Sequence, residues 1–274
     1  MKKIYFLHIP KTGGTSINSF FRVLFSENQY LDHFENHKEI LNSFLKNDSF
    51  YLSGHVPYPR IKKELDCILN LQRIVFLRDP YDHLVAHISW VYNLSRNQTR
   101  LKKHPKEVQD LSSYLNKFNF SSERDLELLL DEMPIYGIAT FDNRQSRYLS
   151  DPPDSLRFNQ EFLELSLKNL CEFEEIGILE YMNESVRIIC KSLQISNSSI
   201  PHKNKSECKV NHSTSIIREF LYPFYKYDLK LYDNAMGKLR FNRNFKNLEK
   251  KDLDYEPFFK HQKNHFIQKY NQKN

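Results

Sequence analysis

The sequence predicts an α/β fold of three layers: a mostly parallel central sheet with helices on both faces. Three observations carry this. Short β-rich runs are apolar on consecutive positions, as strands buried on both faces are. Stretches with apolar residues at helical spacing follow them, so strands and helices alternate along the chain. The turns after the first three runs gather glycine, histidine, lysine and arginine at the edge where parallel sheets hold ligands.

The first run, residues 3–8, reads Lys-Ile-Tyr-Phe-Leu-His. A turn at 10–14 follows it. Thr15 and Ser16 then suit the start of a helix carrying Ile17, Phe20, Phe21 and Leu24. Residues 39–45 read as helix, and 50–53 as a short strand ended by Gly54-His55-Val56-Pro57. The clearest buried strand is 73–77, terminated by Arg78-Asp79-Pro80. A helix over about 81–94 places Leu84, Val85, Ile88, Val91 and Tyr92 on one side. Residues 97–122 are polar and basic without a clear period and read as a loop or loosely helical insertion, the kind of segment that often carries function. Helices are expected over 123–133 and 162–170, a strand over 175–179 and a helix over 183–193. A polar loop over 196–211 leads to a long amphipathic helix over 213–232. Residues 1–237 read as one domain and 238–274 as a basic C-terminal extension, packed on that domain or trailing from it.

Hydrophobic residues make up 40% of the 274 and aromatics 14%, which excludes wholesale disorder. The net charge of +6 is uneven: residues 238–274 hold ten basic and four acidic residues, a difference of +6. Such a tail is either a solvated face or a lure for an anionic substrate. No nucleic-acid reader motif accompanies it, so no nucleic-acid partner is expected. Cys67, Cys171, Cys190 and Cys208 form no C-x-x-C pair, and no zinc spacing occurs, so no metal is expected. They read as reduced thiols of a cytoplasmic protein. The apolar run at 4–9 is too short to span a membrane and enters a motif rather than a cleavage site.

That motif, His8-Ile9-Pro10-Lys11-Thr12-Gly13-Gly14-Thr15-Ser16, is the strongest signal in the chain. Adjacent glycines let backbone approach an anion. The following helix offers free N–H groups and a positive dipole end. Lys11 adds a charge, and Thr12, Thr15 and Ser16 add hydroxyls. The lysine precedes the glycines, whereas a Walker A loop places it after them.

In this order, Pro10-Lys11-Thr12-Gly13-Gly14-Thr15-Ser16 resembles the 5′-phosphosulfate loop of sulfotransferases that use 3′-phosphoadenosine 5′-phosphosulfate (PAPS). The likeness is to the carbohydrate family that includes the heparan sulfate and uronyl 2-O-sulfotransferases. It implies a P-loop-like sulfotransferase fold, PAPS as donor, no metal, and a sugar hydroxyl as acceptor. Arg73-Ile-Val-Phe-Leu-Arg78-Asp79-Pro80 resembles the family's second signature, whose arginine holds the 3′-phosphate, so Arg78 takes that role. A guanidinium fork suits a phosphate. The family's serine eight residues later is replaced by Ala86, and Ser89, one helical turn on, is the candidate substitute. Lys203 and Lys205 resemble part of a late cofactor-binding loop. Gly54-His55-Val56 resembles the segment whose histidine is the catalytic base, with His8 the runner-up; His83 and His87 read as surface or packing residues. The stretch 142–149 resembles a segment near the acceptor, so Arg144 and Arg147 are expected to meet an acidic sugar.

The leading expectation is therefore sulfuryl transfer, with His55 as base and Lys11 stabilising the leaving phosphate oxygen. A phosphotransferase using Mg-ATP competes with it, since Asp79 ends a strand. So does a catalytically silent nucleotide- or glycan-binding module, to which Ala86 gives some weight.

Overall fold

β1 (Lys3–Leu7) is buried along its whole length, with Ile4 and Phe6 packed into one core and Tyr5 and Leu7 into another. That alternation is the strand period facing two layers at once. The computed structural model describes residues 2–36, 41, 42, 44, 46, 49–195 and 215–241. Within them, β2 (Tyr30–Leu31), β3 (Tyr51–Gly54), β4 (Leu71–Leu77) and β5 (Glu175–Ile178) complete a five-stranded sheet of order β2-β3-β1-β4-β5. Every pairing is parallel. Leu7 lies opposite both Gly54 and Val75, so the turns leaving β1, β3 and β4 emerge side by side.

One face of the sheet is covered by α1 (Gly14–Arg22) and α10 (Met182–Leu193), whose Ile17, Phe20, Phe21, Val186 and Ile189 meet Phe6 and Phe76. The other is covered by α8 (Arg144–Ser150), α9 (Gln160–Leu170) and α12 (Lys226–Phe241), through Leu149, Leu170 and Leu231. These are the three layers the alternation of elements implied. A short α2 (Lys62–Asp66) precedes β4.

A second, all-helical core stands beside the sheet. It joins α3 (Pro80–Leu94), α5 (Lys106–Leu115), α6 (Glu123–Asp131), α7 (Ile135–Phe141) and α11 (Ser215–Leu221). Asp79 caps α3, its carboxylate accepting from the Asp82 N–H at 3.0 Å, and Pro80 takes the first helical position.

The structure differs from the sequence reading in several places. Of the two readings of residues 97–122, the helical one holds, and more firmly than expected: α4 (Gln98–Leu101) and α5 lie within them, and Val108, Leu111 and Leu115 of α5 are buried. Only Val108, Leu111 and Leu115 mark the buried face of α5, at helical spacing but sparse among polar residues. The expected single helix over 213–232 is two, because Pro223 stands in a 3₁₀ turn between α11 and α12. α12 runs on to Phe241, across the boundary drawn at 237. Most of the helix expected over 39–45, the polar loop over 196–211 with Lys203 and Lys205, and residues 242–274 lie outside the described residues.

Candidate active site

Chain geometry shapes the phosphate turn. Gly13 precedes α1 at φ 87°, a left-handed conformation that glycine adopts without cost. A Cβ there would stand 2.7 Å from Leu179 Cδ1 and Met182 Cε. Gly14 is required for another reason: a Cβ would lie 1.9 Å from the ring of His8. Gly14 and Thr15 open the helix, so their N–H groups have no intrahelical acceptor. Lys11 is also left-handed, at φ 68°. Neighbours hold this conformation on both sides: His83 Nε2–H donates to the Pro10 carbonyl at 2.8 Å, and Arg78 Nη1 donates to the Lys11 carbonyl at 3.3 Å. His83 is 1% exposed, and burial lowers its pKa to about 3, so it stays neutral and serves as a strut. Thr12 is spent within the turn, since its buried hydroxyl donates to the Ile9 carbonyl at 2.9 Å. The expectation that this hydroxyl meets the donor is corrected accordingly. Ser16 is buried within α1, while Thr15 is exposed on the cavity wall.

Arg78 leaves the end of β4 and is held by a residue that sequence reasoning passed over. Gln145 accepts from the Arg78 N–H at 2.9 Å and donates to its carbonyl at 2.9 Å. Gln145 is itself seated by the buried Asp228 carboxylate, which accepts from the N–H groups of Gln145 and Ser146. The stretch 142–149 therefore fixes Arg78. Ser89 is 4% exposed, inside α3, and is not among the described residues that line the cavity shared by Lys11 and His55. Ala86 is buried one turn before it.

His55 follows β3 directly. Its Nδ1–H donates to the His8 carbonyl at 2.7 Å, which leaves Nε2 as the basic nitrogen. Its backbone N–H donates to Glu35 Oε2 at 2.9 Å, and His33 Nδ1 pairs with Glu35 Oε1 at 3.0 Å. Burial raises the Glu35 carboxyl, but the hydrogen bonds from His33 and the His55 backbone outweigh it and hold it at about 2. Burial lowers the pKa of His55, more than the nearby Glu35 charge raises it. His55 is thus a free base at neutral pH. Burial also lowers His8, whose ring centroid lies 4.1 Å from that of His55. Neither Glu35 nor His33 has a motif to announce it. His33, Glu35 and His55 also offer ligand atoms within 4.8 Å of one another, a closeness for which the His33–Glu35 hydrogen bond accounts.

Lys11, Thr15, His8 and His55 share one cavity of about 440 Å³ with Trp90, Tyr136 and Arg144. Lys11 Nζ lies 5.8 Å from the centre of the Trp90 ring. Arg144 donates to the Ala139 carbonyl at 3.1 Å and lies 4.8 Å from the centre of the Tyr148 ring. Among the described residues that line it there is no carboxylate, and Lys11 and Arg144 make this part of the wall positive. His87, read from the sequence as surface or packing, is buried and lines this cavity. Arg147 is a correction. It is 4% exposed, its Nη2 pairs with Asp142 Oδ2 at 2.9 Å, and its Nε donates to the Asp142 carbonyl at 2.8 Å. A guanidinium so engaged inside the protein braces α8 and does not meet an acceptor.

A glycine turn on a helix N-terminus, an arginine at the end of one neighbouring strand and a histidine at the end of the other thus meet at one edge of the sheet. The model of the family described as Sulfotransferase family matches residues 1–234. The chain belongs to that family. No curated protein matches it.

Proposed function

We propose that this transferase moves a sulfuryl group from PAPS to a hydroxyl of an acceptor bound in the cavity. The observation that carries the reading is the convergence of Lys11, Thr15 and His55 on one cavity whose described lining holds no carboxylate, with His55 held by its Nδ1–H. The residues present fit the donor. The start of α1 and the Lys11 ammonium suit its phosphosulfate, and Arg78, its backbone held by Gln145 and its guanidinium lying beside the turn at the Lys11 carbonyl, suits its 3′-phosphate. PAPS supplies the activated sulfuryl group.

His55 Nε2 accepts the acceptor's hydroxyl proton as the oxygen bonds to sulfur. The sulfur–oxygen bond to the phosphate breaks, and its electron pair departs on that phosphate oxygen, where Lys11 and the N–H groups of Gly14 and Thr15 meet the charge. The products are a sulfate ester and adenosine 3′,5′-bisphosphate. A sugar hydroxyl is the acceptor that the sequence resemblance brings with it; the chemistry asks only for an alcohol. We assign the reaction to the cytoplasm, where the exposed thiols of Cys67 and Cys171 remain reduced.

The test is calorimetric titration with adenosine 3′,5′-bisphosphate in the presence of a chelator, and separately with Mg-ATP. Micromolar binding of the bisphosphate, lost in Lys11→Ala and in Arg78→Ala, supports the reading. Binding of Mg-ATP alone overturns it in favour of phosphoryl transfer.

A further inference from the structure

The roof of the cavity comes from the segment that the sequence presents as a polar insertion. Val108 and Leu111 of α5 face it, together with Trp90 and Val91 of α3 and Tyr136 of α7. Val108, Trp90 and Tyr136 also pack around Leu94 and Leu101, so this wall belongs to a small core and holds its shape. Its aliphatic and aromatic surface suits a flat apolar body.

The polar groups are distributed in a way that narrows the acceptor further. A sugar presents several hydroxyls that each need a partner, and sites for sugars meet them with carboxylates and amides. None of the described lining residues is Asp, Glu, Asn or Gln. The lining does carry Arg144, whose guanidinium is steadied by the Ala139 carbonyl and the Tyr148 ring. Among the described residues no carboxylate pairs with Arg144, and its buried Nε has no hydrogen-bond partner. A guanidinium so fixed, with no acidic partner among the described residues, calls for an anion.

We propose that the acceptor is a small hydroxyaryl acid: a phenolic or benzylic alcohol whose ring packs under Trp90 and α5 and whose carboxylate pairs with Arg144. This rests on the transfer reading above and names the substrate class of the same site. The acid's hydroxyl oxygen bonds to the sulfuryl sulfur, its proton passes to His55, and the bisphosphate leaves.

The full-length protein is assayed with PAPS and three acceptors: 4-hydroxyphenylacetate, its neutral counterpart 4-methylphenol, and a uronic-acid disaccharide. The acid is expected to be sulfated with the lowest KM. Arg144→Gln should raise KM for the acid about tenfold more than for 4-methylphenol, as loss of one charged pair does. Arg144→Lys should recover part of that difference. Titration of each variant with adenosine 3′,5′-bisphosphate reports that it is folded. Bisphosphate binding without transfer to the acid overturns the proposal, whatever the disaccharide does. An Arg144→Gln effect equal for acid and phenol overturns it as well. Absence of bisphosphate binding by the parent protein overturns the transfer reading and this one with it.

Discussion

Gly14→Ala tests the packing logic of the site most directly. The added Cβ would fall 1.9 Å from His8 Cδ2 and 2.0 Å from His8 Nε2. Carbon atoms rest about 3.5–4.0 Å apart, so the imidazole must retreat by about 1.5–2 Å. Its path is crowded, for the His55 ring centroid lies 4.1 Å away and Phe6 stacks on His8 at 5.7 Å. Overpacking of this kind costs about 1–3 kcal/mol. For a chain of this size that lowers the melting temperature by about 2–4 °C per kcal/mol. Function should suffer more than stability. The His8 ring lies against the His55 ring, with centroids 4.1 Å apart, so a displaced imidazole crowds His55 and misaims the proposed base. Misplacement of about 1 Å at a reacting group costs up to about 100-fold in rate. Thermal melting and sulfate transfer at saturating donor measure the two effects. A variant with parental turnover and an unchanged melting temperature would refute the reasoning, because it would mean that His8 yields freely and does not position His55.

Four further outcomes follow from the same geometry. Gln145→Met removes both hydrogen bonds to the Arg78 backbone and should destabilise the fold by about 1–3 kcal/mol while raising KM for the donor more than for the acceptor; equal effects on both would deny Gln145 its positioning role. Arg147→Met leaves the Asp142 carboxylate buried without its ion pair and should cost about 3–5 kcal/mol by denaturant melts, with acceptor KM unchanged in the folded fraction. His83, with its pKa lowered to about 3 by burial, binds fewer protons folded than unfolded below pH 6.5, so it contributes stability above that pH that is lost as pH falls towards 3. At pH 5 the loss is about 2 kcal/mol, and His83→Gln should flatten the acid limb of a stability–pH curve. Because burial lowers the pKa of His55, the acid limb of kcat/KM should have its midpoint below the ordinary histidine value, and a midpoint above it would count against His55 as the base.

Much of the fold was legible because it rests on local signals. Consecutive apolar positions at 3–8 and 73–77 mark strands buried on both faces, and both are found in the sheet as β1 and β4. The glycine pair at 13 and 14 was legible as a tight strand-to-helix turn, and the structure shows Gly13 in the left-handed conformation and Gly14 against the His8 ring. The two-residue β2 and the four-residue α4 were not legible, since each is too short to carry a period, and α5 was faint because only Val108, Leu111 and Leu115 mark its buried face among polar neighbours.

The division at the site has one physical cause. Sequence by itself determined which residue types are at hand: a lysine and two glycines before a helix, an arginine after a strand, a histidine after another. Only the tertiary structure decided what each does, because burial and the partners of a side chain depend on elements distant in the chain. It turned Arg147 inward onto Asp142 and left Arg144 on the cavity wall. It enclosed His83 and Ser89 within the protein, and it brought Gln145 to Arg78 and Glu35 to His55 across the sheet edge. The charge of a side chain is written in its chemistry, but its availability is set by what packs against it.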